Sequence, residues 1–128
     1  MHRLHKVTAL VEIPTGLGLI AVPAVVVRIL FGAEIAGAAI PLGRLAGVAV
    51  LALGVACWLA SFDAQSCAAR GVVTAMVIYN LGAVFVLGAA GFQSQPTGIL
   101  LWPAVILHAA MSIWCITNLL CKPTQIAP

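Results

Sequence analysis

Charge is what this chain lacks. Three acidic and six basic side chains are spread over 128 residues, 7% of the sequence, and none of them falls between Arg70 and Lys122. A soluble domain carries about 25% charged residues because most of its surface faces water. A chain this poor in charge, with 63% hydrophobic residues and a mean hydropathy of +1.18, belongs in a bilayer. The few cations are scattered, so the net charge of +3 does not form the basic footprint of a nucleic-acid-binding protein.

Paired cysteines and metal-ligand clusters are missing as well. Cys57, Cys67, Cys115 and Cys121 include no pair at CxxC spacing, the usual mark of a dithiol oxidoreductase. They read as small packing groups in apolar helices. His2, His5 and His108 do not combine with them at any recognised ligand spacing, so no structural metal site is expected. No motif names a substrate, a reaction or a cofactor.

What is present is long apolar runs. A helix crossing a hydrocarbon core about 30 Å thick needs about 20 apolar residues, and four such spans fit at residues 8–31, 43–62, 71–92 and 99–120. The connections are short: Gly32 to Leu42, Asp63 to Arg70, and the polar turn Gln93-Ser94-Gln95-Pro96-Thr97-Gly98. Short connections force antiparallel neighbours, which predicts an all-α, up-down, integral membrane four-helix bundle occupying the whole chain as one domain. Arg3, Lys6, Arg70 and Lys122 fall on one side of it, Arg28 and Arg44 on the other. That bias predicts a multi-pass protein with both termini cytoplasmic. The basic start followed by an apolar run also resembles a signal peptide ending near Ala36-Gly37-Ala38, but Glu12 and Arg28 interrupt it and the site lies beyond the usual length.

Small residues indicate where helices meet, since lipid gives apolar helices no drive to associate and close backbone approach must do so. In the second span Gly43, Gly47 and Gly54 share one face, and in the third Gly71, Ala75 and Gly82 form a similar stripe. Both stripes are expected to pack within the bundle; a homodimer seam would use the same residues.

Polar residues inside the spans are the candidate site, because they are costly in hydrocarbon and face an interior, a cavity or a partner. These are Glu12, Arg28, Asn80 and His108. At a rise of about 1.5 Å per residue, Asn80 and His108 both fall within roughly 3 Å of the bilayer centre and could bond to each other. Beside that structural clasp stands a second reading: His108, with Tyr79, Met111 and Ser112, lines a pocket for a small apolar ligand, a quinone or a haem. Bis-His haem ligation would need a second buried histidine from a partner. An ionised Glu12 is costly at its depth without a partner, leaving it protonated, hydrogen-bonded or open to a water-filled vestibule. Arg28 lies near the opposite interface, where it can snorkel or pair with Glu34. Pro14, Gly16, Gly18 and Pro23 weaken the first span and free carbonyls, as in the broken helices that line some transporter sites.

The proline-bearing, glycine-rich first span, the Arg44-Leu45-Ala46-Gly47 start of the second, and the Leu-rich, Gly-containing helices that follow resemble the DoxX-like group of small bacterial membrane proteins. The resemblance covers most of the chain in layout and implies a four-helix bundle, in some relatives associated with membrane oxidoreductases or thiol and sulfur redox chemistry. No cysteine pair supports that chemistry here, so no functional residue is carried over. The expectation is a non-catalytic accessory or anchoring subunit in contact with lipid and with a membrane-protein partner or further copies of itself. The alternatives are an oligomeric proton or small-solute carrier, and a quinone- or haem-binding redox subunit.

Overall fold

The computed structural model describes residues 1–93 and 97–120. It contains helices only: α1 (His2–Ala21), α2 (Pro23–Phe31), α3 (Ala39–Ala60), α4 (Cys67–Gln93) and α5 (Leu101–Leu120). All but α2 are long and apolar enough to cross a membrane. Their large apolar side chains point outward: Leu10, Phe85, Phe92 and Ile99 are all at least three-quarters exposed. In water such a surface would aggregate; in lipid it is the expected exterior. The protein is a multi-pass membrane protein.

The expected first span is in fact two helices. Proline disfavours helical backbone in the residue before it, and Val22, ahead of Pro23, sits at φ −136°, ψ 59°, ending α1. Pro23 then occupies the first turn of α2, where its missing N–H costs nothing. Gly32, at φ 70°, closes α2 with its N–H on the Arg28 carbonyl, a left-handed cap that glycine adopts without strain. By contrast Pro14 is absorbed inside α1, where the Thr15 hydroxyl donates to the Val11 carbonyl at 2.7 Å.

The helices form two close antiparallel pairs, α1 with α3 and α4 with α5, which touch each other less. Glycines make the first pair possible. A Cβ on Gly16 would stand 2.8 Å from the Gly47 carbonyl oxygen, one on Gly47 2.8 Å from that of Gly16, and one on Gly54 2.9 Å from the Ile13 nitrogen. Gly43 approaches Pro23, so the stripe of the second span runs along α1 and the start of α2. The stripe expected on the third span is corrected: Gly71, Ala75 and Gly82 are exposed, and a Cβ on Gly71 or Gly82 would meet nothing within 4 Å. The α4–α5 pair uses Gly91 instead, against Leu101 and Trp102.

The two pairs pack together at one end and meet again at the other. At the closed end, Nε2 of the buried His5 lies 3.3 Å from the Ala69 carbonyl oxygen across the two pairs, while His2 Nδ1, 2.7 Å from the Ser61 carbonyl oxygen, and Arg70, donating to the Leu119 carbonyl, tie each pair within itself. Below these ties lies a packed core containing Leu4, Ala9, Cys57, Val73, Met76, Met111 and Cys115. At the opposite end the pairs meet again through α2: the Leu100 N–H donates to the Ile29 carbonyl at 3.1 Å, and Gly98 lies against the same carbonyl with no room for a side chain. Between the core and this junction the interior is open.

Candidate functional site

The open interior is a cavity of about 890 Å³, within the range of about 300–1,000 Å³ typical of small-molecule sites. Its walls are almost wholly apolar, from Leu19 and Val50 on one pair to Val86 and Leu107 on the other. Val26, Ile29 and Leu30 of α2, with Leu100 just ahead of α5 and Pro103 within it, roof it. Several wall residues, Ala46, Ile78 and Val86 among them, lie well inside their helices and are exposed, so the cavity is not closed off. The cavity therefore opens sideways, toward lipid.

Its floor is polar. Glu12, Tyr79 and His108 line it together, about 15–18 Å along their helices from the closed end and so near mid-bilayer. Glu12 is 3% exposed, and the Tyr79 side chain lies beside it. The Tyr79 ring stands edge-on to the imidazole of His108, centroids 5.6 Å apart at 81°. A buried carboxyl needs a polar partner in a low-dielectric setting.

Behind the floor, Asn80 fixes His108. The Asn80 amide nitrogen donates to the Met76 carbonyl at 2.7 Å, one turn back on α4, and its oxygen lies 2.8 Å from His108 Nδ1. The amide oxygen can only accept, so Nδ1 carries the hydrogen. Nε2 has no hydrogen-bond partner among the described residues, and the ring borders the cavity.

The sequence-derived candidates divide accordingly. Glu12, Tyr79 and His108 come together at the floor, and Asn80 and His108, placed at one depth by the sequence, do face each other. Ser112 is buried but donates to the His108 carbonyl, a bond within the helix, and Met111 belongs to the core. Arg28 lies apart, exposed, sharing a small surface pocket with Glu34. Cys57 and Cys115 are buried, with no metal-binding group of His, Cys, Asp or Glu among the described residues; Cys121 and the Ser94-Gln95-Pro96 part of the polar turn lie outside them. No family model, no curated protein and no solved structure matches this chain.

Three features escaped the sequence reading. The roof depends on α2 being a separate helix, for which Val22-Pro23 was the available signal. The α2–α5 junction depends on Gly98, which reads as an ordinary turn glycine until its neighbour is known. His5 and Thr8 are each 1% exposed and stand seven and four residues before Glu12, so the three share one face of α1. The i, i+3, i+7 spacing was visible, but His5 and Thr8 lie at or before the start of the expected first span and were not counted among its polar residues.

Proposed function

We propose that this protein binds a membrane-dissolved molecule of the quinone class, with the polar head on the Glu12, Tyr79 and His108 floor and the apolar tail along the chamber toward α2. The observation that carries this reading is the cavity: large, apolar-walled, open to lipid at the side, and ending at mid-bilayer in three convergent polar groups. A phospholipid would have to bring its charged headgroup to the least polar depth of the membrane, whereas a ring bearing neutral oxygens needs only a few hydrogen bonds there. Haem fits less well, since among the described residues a single imidazole meets it and no cation lines the chamber to receive its carboxylates. The layout-level DoxX-like resemblance, with its link to membrane oxidoreductases, accords with this class of ligand.

The test is purification from native membranes in mild detergent, followed by solvent extraction and mass spectrometry. A quinone-class molecule at near-stoichiometric amount, lost from a Gly82→Phe variant, is expected. An empty wild-type protein that also fails to bind an added short-chain quinone or hydroquinone would remove the proposal.

A second reading, a proton-coupled carrier, is favoured by the buried face of α1, where His5, Thr8 and Glu12 lead from the closed end to the floor. It requires proton flux in reconstituted vesicles that falls in Glu12→Gln; vesicles as tight as protein-free ones would rule it out. The expected accessory-subunit role has no comparable feature of its own, and a partner covering the side opening would appear in the same mild-detergent preparation.

A further inference from the structure

We propose that the cavity selects its ligand by hydrogen-bond polarity, taking a ring that bears a hydroxyl donor in preference to the same ring bearing a carbonyl, so that a hydroquinone binds ahead of its quinone. This deepens the ligand-binding reading above and rests on it.

The hydrogen bonds that fix this polarity start on α4, behind the cavity floor. The Met76 carbonyl takes the Asn80 NH2 at 2.7 Å, which sets which end of the amide faces α5. The amide oxygen therefore meets His108 Nδ1 at 2.8 Å and demands a hydrogen there. A neutral imidazole has one N–H. With that N–H committed to Asn80, Nε2 presents a lone pair, and no described side chain donates to it. The Tyr79 hydroxyl makes no hydrogen bond to Nε2 either; the two rings meet edge to face, which places Tyr79 against the imidazole as a wall. The polar point that His108 offers to an occupant is thus an acceptor.

In an apolar chamber the consequence is one-sided. A hydroxyl brought to Nε2 satisfies donor and acceptor together. A carbonyl oxygen in the same place sets lone pair against lone pair and leaves both groups without a partner, away from water. A site built to pair one polar group rejects the analogue that lacks it much more strongly than an apolar pocket rejects a change of size. A preference of about tenfold or more for the hydroquinone is expected.

The test uses the full-length protein in lipid nanodiscs under anaerobic conditions. Binding is measured by calorimetry for a short-chain prenylated hydroquinone, the matching quinone, and the dimethyl ether of the hydroquinone. The hydroquinone is expected to bind about tenfold or more tighter than either other compound, and Asn80→Leu, which frees the imidazole to take either tautomer, is expected to reduce that ratio. Equal or tighter binding of the quinone would overturn the polarity rule while leaving the ligand site standing. Failure of all three compounds to bind would instead overturn the site itself. A ligand-independent check is 15N NMR of histidine-labelled protein: the signals that vanish in His108→Gln should show a protonated Nδ1 and an unprotonated Nε2, and the reverse assignment would overturn the proposal.

Discussion

His108 and Asn80, on neighbouring helices near mid-bilayer, are joined by a hydrogen bond of 2.8 Å between Nδ1 and Oδ1, and the same Asn80 side chain is tied to its own helix through the Met76 carbonyl. One amide thus both joins α4 to α5 and orients the ring at the cavity floor. Asn80→Leu keeps the volume and removes both bonds. Interhelical hydrogen bonds in membrane proteins average about 0.6 kcal/mol, with a maximum of about 1.7, so a loss of about 1 kcal/mol is expected in denaturant unfolding from micelles. An unchanged midpoint would mean that the bond contributes nothing to holding the pair.

The seam between α1 and α3 should tolerate no added methyl group, whereas the exposed stripe of α4 should. A Cβ at Gly16 or Gly47 meets backbone atoms at 2.5–2.8 Å, which cannot rotate away as a side chain could. Overpacking of that kind costs about 1–3 kcal/mol. Gly16→Ala and Gly47→Ala should therefore lower the unfolding midpoint clearly, while Gly71→Ala, with nothing within 4 Å, should hold or raise it through helix propensity. Similar behaviour of all three variants would mean that the helices are paired differently.

Ser61 is 2% exposed, and its hydroxyl has no hydrogen-bond partner among the described residues. Removing an unsatisfied buried hydroxyl is neutral or stabilising, whereas removing a bonded one costs about 1 kcal/mol. Ser61→Ala should leave thermal stability in detergent unchanged or raise it slightly. His2 bonds to the backbone carbonyl of Ser61, which the substitution leaves in place.

Filling the cavity should separate binding from folding. Gly82 borders the chamber, and a Cβ there meets open space. Gly82→Phe is expected to preserve the unfolding midpoint, since replacing a mid-helix glycine with phenylalanine favours the helix by roughly 0.3–0.5 kcal/mol before any packing gain. It should abolish binding of a short-chain hydroquinone. Retained binding would place the ligand elsewhere.

Topology can be read from thiols. Cys67 is exposed at the closed end, whereas Cys57 and Cys115 are buried. In a Cys121→Ser background, a membrane-impermeant maleimide should label Cys67 from the cytoplasmic side only, as the distribution of Lys and Arg predicts. Labelling from outside intact cells would invert the orientation.

The membrane class, the four crossings and the common depth of Asn80 and His108 were legible in the sequence. Each depends on position along the chain, and a rise of about 1.5 Å per residue turns position into depth. Rotation about each helix axis was not legible in the same way. In a soluble bundle the buried face is the apolar one, but here lipid and core are equally apolar, so Phe85 at 76% exposure and Met76 at 2% carry the same signal. Small residues mark a seam only when another helix is present to use them: the reading held for Gly47 and Gly54 and failed for Gly71 and Gly82, whose stripe faces away from other helices, with Gly82 beside the cavity.

By itself, then, the sequence determined that this chain crosses a bilayer several times and that a few uncompensated polar groups lie deep within it, because the scarcity of charge and the length of the apolar runs leave no other solvent. Only the tertiary structure decided that Glu12, Tyr79 and His108 share one floor while Arg28 does not, and that a break at Val22 turns the end of the first span into a roof. Those outcomes depend on how two helix pairs meet. That is set by the His5–Ala69 contact at one end and the Leu100–Ile29 bond beside Gly98 at the other, close-range interactions that depth along the chain does not encode.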